Sequence, residues 1–264
     1  TLLGFNGGSS GNGGATFATT VATHVASANS GGGLISQGQV LNPSTTSYDN
    51  YIVRFTGATT FDVVNVSTPL PVTPHSANAG RVGVSDAGIV DPQQITLDTY
   101  EIQFTSASQY SVRNTTTGAT LSTGNVYVSG GAIEFEGVRV VLSNAQGSGP
   151  VTGDRFTLAV APQTVLANQA YTAGAPITFD GIQFRITHST SAPAAGDLFH
   201  VSAHTRYAGD AGSQQIEVAD GEIVGTTVRG DEVFSGSDVN LFDTVQQLLA
   251  ALRGNFKAGI IESL

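Results

Sequence analysis

The sequence predicts a mainly β protein, with a β-sandwich or barrel-like body built from repeated β units and an amphipathic helix at its C-terminal end. Three observations carry that expectation. Charged residues make up only 11% of the 264 residues, and 33 glycines, with many serines and threonines, fill the space between short apolar runs. Two patterns of alternating apolar and polar residues each recur further along the chain. Sustained helical periodicity is confined to the last stretch.

Taken in order, residues 1–43 form a Gly/Ser-rich leading segment. GFNGGSSGNGG and NSGGG fix no backbone and read as linker. Between them, Phe17, Val21 and Val25 stand at helical spacing, so a short helix is expected there. Residues 44–205 carry the repeated β units, as one or two β domains. Tyr51 to Thr56, a turn at Gly57-Ala58-Thr59, and Thr60 to Asn65 read as strand, turn, strand. The pattern returns at Tyr100 to Thr105 and Gln109 to Asn114. The copies align without a gap, matching Asp49 with Asp98, Tyr51 with Tyr100, Phe55 with Phe104 and Asn65 with Asn114.

A second repeat follows. Ile133-Glu134-Phe135-Glu136-Gly137-Val138, then Gly153-Asp154-Arg155-Phe156, is matched by Ile177-Thr178-Phe179-Asp180-Gly181-Ile182 and Gly196-Asp197-Leu198-Phe199. Each copy is a strand entering a turn where glycine tolerates positive φ, then a step that drops a phenylalanine into the core. Between the hairpins, PLPVTPHSANAG reads as an exposed proline-rich connection. Residues 206–238 read as a β-hairpin around Asp220-Gly221 and a turn through Gly230 to Phe234.

Residues 239–264 form the helical segment. Phe242, Val245, Leu249, Leu252 and Phe256 fall on one face, and Leu241 and Leu248 widen it. Ser237 and Asp238 offer capping oxygens at the start, and Gly254-Asn255 a stop or break. With no second strong amphipathic helix upstream, this ridge is expected to lie against a neighbour. Phe242, Val245, Leu248, Leu249, Leu252 and Phe256 are therefore the expected assembly interface, in a chain that is part of something longer.

Composition narrows the function. A net charge of −10, a pI near 4.7 and Lys257 as the only lysine argue against nucleic acid as a partner. Absent cysteine excludes disulfides and thiolate metal sites, and absent methionine implies that Thr1 is not the natural start. No apolar run approaches about 18 residues, so no membrane span is expected.

Chemistry is equally sparse. His200 and His204 stand in a strand context, where a spacing of four does not converge on one metal as it would on a helix. Gly7 to Gly14 lacks the Lys-Ser/Thr of a phosphate loop. Glu134 and Glu136 are matched by Thr178 and Asp180, so no carboxylate pair survives in both copies. Asp154 and Asp197 sit in matching turns, where aspartate commonly bonds backbone. Arg229-Gly230-Asp231 is incidental. No catalytic residue, cofactor or metal is expected.

The residues from Tyr207 through Gln215-Ile216-Glu217-Val218, then Gly221, Gly230-Asp231-Glu232-Val233-Phe234 and Leu241 to Leu252, resemble the hook–filament junction proteins of the flagellin-like axial family. The Y-x-I-x-F and I-x-F-x-G-V…G-D-x-F units resemble the β insertions of its larger members. The resemblance implies a non-enzymatic, secreted subunit of an extracellular bacterial tube. The C-terminal helix would then belong to a truncated helical rod domain, with the β units projecting outward. It further implies flagellar axial partners (hook-associated protein 1 and flagellin), self-association in a ring, and an export chaperone acting through termini outside this sequence. A rival reading is an extracellular glycan-binding β-sandwich of the phage-tail or adhesin kind, which needs an exposed aromatic patch. A carbohydrate-active enzyme would need two close carboxylates in a cleft.

Overall fold

Period-two alternation gives strands through most of the chain, and the computed structural model describes residues 3–4, 17–209, 215–225, 228–234 and 240–262. A short β1 (Leu3–Gly4) precedes β2 (Phe17–Val25), β3 (Gly33–Ile35), β4 (Gln39–Val40), β5 (Asn50–Gly57) and β6 (Thr60–Asn65). Next come β7 (Val72–Pro74), β8 (Val82–Ile89), β9 (Thr99–Ser106), β10 (Gln109–Asn114), β11 (Thr120–Val126), β12 (Ala132–Phe135), β13 (Val138–Asn144) and β14 (Arg155–Ala159). The chain continues through β15 (Gln163–Ala170), β16 (Pro176–Phe179), β17 (Ile182–His188) and β18 (Leu198–Tyr207). A hairpin of β19 (Gln215–Ala219) and β20 (Glu222–Gly225) follows, then β21 (Val228–Arg229), α1 (Gly230–Phe234), α2 (Leu241–Arg253) and α3 (Lys257–Glu262).

The two repeats read from the sequence are the two halves of a single unit, present twice and nested. Strands β7 to β14 form one unit, with sheets ordered β11-β10-β9-β14-β7 and β12-β13-β8. The other is assembled from both flanks, with sheets ordered β15-β6-β5-β18-β2 and β16-β17-β3, β4 adding to β17. Strand for strand the two orders agree, with β7 in the place of β2 and β14 in that of β18. The inserted unit therefore interrupts its host between β6 and β15. Its own counterpart of that connection, β10 to β11, is the tight turn Thr115 to Ala119, closed by Asn114 N–H on the Ala119 carbonyl at 2.8 Å.

Each unit has its own core, and the cores match ring for ring. In the host, Phe55 meets Phe61, Tyr171 and Phe199 at centroid distances of 5.9, 5.0 and 5.7 Å. In the insert, Phe104 meets Tyr110, Tyr127 and Phe156 at 6.3, 5.0 and 6.2 Å. The other face of the host sheet is also covered. Ile52, Val64, Val66 and Leu70 join the buried cluster of the insert, so the two units share an apolar junction.

Polar bonds repeat with the same fidelity. The Asp197 carboxylate accepts from Ser30, Gly31 and Ala194 amides, and that of Asp154 from Ala79, Gly80 and Val151. Both aspartates are buried, each tying the turn before its strand to the loop that leaves the sheet's edge. Asn29 exchanges two bonds with the Leu198 backbone, and Asn78 two with Arg155. Tyr51 donates to Asp180, and Tyr100 to Glu136. Burial, chiefly, raises both phenols well above the ordinary tyrosine range, and the adjacent carboxylates add to it.

Three expectations change. Residues 17–25 form a strand, not a short helix, with a nine-residue register from Phe17↔Tyr207 to Val25↔Phe199. Thr19, Thr20, Val21, Thr23 and Val25 are β-branched, so a helix would restrict them while a pleated edge accommodates them. Asn29 to Gly31 is a fixed corner rather than linker, and so is the end of the proline-rich connection at Asn78 to Gly80. The fragment Ala-Asn-x-Gly at 28–31 and 77–80 is a third segment of the repeat, needed because both corners feed an aspartate cradle.

The I-x-F-x-G turns are doubly constrained. Gly137 and Gly181 have φ of 77° and 70°, following Glu136 and Asp180 at 41° and 47°. A Cβ at Gly137 would also lie 2.3 Å from the Asp91 carbonyl oxygen, and one at Gly181 2.5 Å from that of Asn42. Gly147 has φ of 75° with no neighbour within 4 Å. Urea unfolding should therefore show Gly147→Ala losing about 1 kcal/mol and Gly137→Ala about 3 kcal/mol, conformation alone against conformation plus collision. The insert ends side by side, with Val72 paired to Leu158. Residues 70–161 expressed alone should accordingly unfold in one cooperative transition.

Candidate assembly surface

The helix α2 is built from strong helix formers and capped by Asn240, whose side chain accepts from the amides of Phe242 and Asp243 at 3.0 and 3.5 Å. Ser237 and Asp238, the expected caps, lie outside the described residues. At the other end Gly254 donates to Ala250 at 2.9 Å, and Asn255 turns the chain with φ of 51°. The expected break is therefore present, and α3 starts beyond it. Its first amides, Lys257 and Ala258, donate to Asp86 of β8 at 3.0 and 2.6 Å.

The side that α2 presents to the β body is polar and small. His204 of β18 bonds Gln246 Oε1 through Nδ1 at 3.1 Å and Ser202 Oγ through Nε2 at 2.8 Å, an arrangement that one neutral tautomer satisfies. Arg253 pairs with Asp49, which also accepts from Asn65 at 2.9 Å. A gap of about 470 Å³ lies between helix and sheet, lined among others by Tyr48, Asn50, Ser202, Asp243 and Gln247. Of the α2 residues, only Ala251 is fully buried.

The aliphatic stripe faces away. Val245 and Leu252 are 54% and 55% exposed, and Leu241 is 43% exposed. Leu248, Leu249 and Phe242 are half-buried. The Phe242 ring stands 6.0 Å from Phe234, which stacks on Tyr207 at 5.9 Å. Phe256 departs from the expected stripe. It is 4% exposed and lies on Gly88 of β8, where an added Cβ would be 2.3 Å from its ring. The Arg139 guanidinium sits 5.7 Å from its centroid. The turn at Gly254-Asn255 rotates Phe256 out of phase with α2, so it anchors α3 to the insert instead of extending the outward face.

The β19–β20 hairpin also leaves apolar residues in solvent. Ile216, Val218, Ile223 and Val224 are all exposed on a two-stranded ribbon, which is marginal in water without a covering surface. Nearby, β1 pairs with β21 in parallel, bringing Leu3 opposite Val228. Gly230 is buried against the Tyr207 ring at the start of α1, so the Arg229-Gly230-Asp231 tripeptide has no exposed loop geometry.

The remaining chemical candidates are occupied in structure. Among the described residues no group of three His, Cys, Asp or Glu side chains could hold a metal. His200 and His204 bond different partners. Glu134 pairs with Arg139, while Glu136 takes the Tyr100 hydroxyl, so the two carboxylates point to separate partners. Among the described residues no helix is long and apolar enough to cross a membrane.

No family model and no curated protein matches the chain. Solved structures do. The chain is similar to FlgL of Xanthomonas campestris at 25% identity, over 44% of this chain and 32% of that one, with a TM-score of 0.31. Flagellar hook associated protein-3 of Legionella pneumophila is 19% identical over 42% of this chain and 35% of that one, with a TM-score of 0.31. The flagellar hook junction protein FlgK of Burkholderia pseudomallei is 14% identical over 51% and 41%, with a TM-score of 0.30. Its structural neighbours are flagellar hook-junction proteins. The chain covers between 32% and 41% of the length of these three.

The inward and outward faces of the helical segment make opposite predictions. In the chain alone, Val245→Ser and Leu252→Ser should change thermal stability by no more than about 0.5 kcal/mol. Phe256→Ala should remove amide-exchange protection from residues 257–262 and cost the α3 docking about 3 kcal/mol.

Proposed function

We propose that this chain is part of a structural, non-enzymatic subunit of the bacterial flagellum, of the hook-associated junction type, working outside the cell. One observation carries the reading: α2 turns its amides and alanines toward its own β body and its aliphatic stripe toward solvent. A helix completed within its own chain would do the reverse, since burying each large aliphatic side chain contributes about 1.5–3 kcal/mol. Val245, Leu248, Leu249 and Leu252, with Phe242 at the edge, then form the assembly interface against a helix of the axial structure. The resemblance of Tyr207 to Leu252 to the junction proteins supports the same assignment. The nested β units form the outer surface, and the partners are other axial proteins and further copies in a ring.

Among the described residues the glycan-binding alternative lacks its requirement. No Phe or Tyr whose side chain is described is exposed, and the strongly exposed large apolar residues are all aliphatic. Stacking on sugar rings needs an open aromatic face.

The test is made in the organism that encodes the protein. With Val245 and Leu252 both changed to aspartate, the protein should still be exported and its β units should still fold, while filaments fail to attach and swimming is lost. Swimming at the parental rate would refute the interface.

A further inference from the structure

Among the apolar side chains that meet at the junction between the two β units stands a polar one that bonds across it. His200, on β18 of the host, is 6% exposed, and its Nε2 lies 2.8 Å from the backbone carbonyl of Ile95 in the insert. A carbonyl only accepts, so Nε2 carries the proton and Nδ1 is left with a lone pair. That Nδ1 is buried and has no hydrogen-bond partner among the described residues. Beside the ring stand Ile52, its ladder partner on β5, and Ile95, both members of the apolar cluster shared with the insert, and their side chains offer a second proton no acceptor.

We infer that the joint between host and insert is acid-labile, with protonation of His200 as the event that loosens it. A proton arriving on Nδ1 would place a full charge between two apolar surfaces, with no oxygen positioned to take the bond. Buried cations of this kind are relieved by letting water in, and here the weakest path for water is the seam between the units. The surroundings reinforce the effect. His24 on β2 pairs directly with His200, and their ring centroids are 5.9 Å apart, so a charge on the more exposed His24 opposes a second one. The carboxylate acting on it is Asp91, in the loop that also carries Ile95. On the same face of β5, Arg54 is already paired with Asp62 at 2.7 Å.

Burial holds the imidazole below the ordinary histidine range. The Ile95 bond and Asp91 pull upward, and His24 adds to the depression. When the units separate, His200 regains water and titrates near its usual value of about 6.5. Below that pH the separated form binds more protons than the docked one. Docking is therefore complete above about pH 6.5 and weakens as pH falls below it. The insert holds no duplicate of the device: it places Thr157 where the host has His200, facing Glu101 across the ladder where His200 faces Ile52.

Amide exchange on the whole chain tests this, read at pH 7.5 and 5.0 after correction for intrinsic exchange rates. Protection at Ile95 to Leu97 and at Val66 to Val72 should drop at least about tenfold at the lower pH, while the core amides of Phe55 and Phe104 hold. His200→Gln keeps a side-chain N–H for the Ile95 carbonyl and does not titrate, so its protection should be the same at both pH values. A flat response in the parent protein, or an unchanged drop in His200→Gln, overturns the inference. If that variant does not fold, the imidazole titrations of the parent followed by NMR decide the matter. The opening must track the His200 resonance, and tracking any other histidine counts against it.

Discussion

The constraint on which this structure depends is that the hairpin β5–β6 must be covered on both faces, as β5 shows. Tyr51, Val53 and Phe55 point into the host core, while Ile52 points the other way into the cluster shared with the insert. A strand buried on both sides reads as a continuous apolar run instead of an alternating one, and Tyr51-Ile52-Val53 is such a run. The insert is therefore more than an ornament on the host. It shelters the back of the host sheet, and the host supplies Ile52, Val64 and Val66 to close the insert's own core. Asp86 and Gly88, which receive α3, belong to the insert, while His204 and Asp49, which hold α2, belong to the host. The helical segment thus spans the same joint from outside.

Much of this was legible in the chain. The hairpins β5–β6 and β9–β10 follow from a repeated strand, turn, strand pattern, and the I-x-F-x-G copies follow from a turn that only glycine fits comfortably. The nesting was not legible, because a repeat inserted into its own parent reads along the chain as two different repeats in succession. The Ala-Asn-x-Gly copies would have exposed it, but short runs of small polar residues resemble linker unless their distant partners are known. Asp154 and Asp197 bond the turn amides of Val151 and Ala194, as their place in a Gly-Asp turn suggests. Their role as acceptors for amides in loops far away in sequence could not be seen from a turn alone.

The last segment divides in the same way. Helical period and the break at Gly254-Asn255 are local properties, so they were visible. Which face of α2 turns inward is a tertiary choice, set by Gln246 meeting His204 and by Arg253 meeting Asp49. Spacing alone puts Phe256 on the stripe because it runs on through a break, whereas a positive φ at Asn255 resets the phase. The residue types at Asp86 and Gly88 gave no hint that one would cap a helix and the other would receive a ring.

The tight turn Thr115 to Ala119 has a bearing on size. In the host, the equivalent link carries an entire β unit, yet the strand order around it is the same. The inserted copy carries that same link still closed, at the far end of β10 and β11. Architecture of this kind is extensible like a set of tent poles: the closed link is a socket for one more section, and the existing sections would keep their joints. A unit added at that turn would lengthen the body and leave the exposed stripe of α2 as it is.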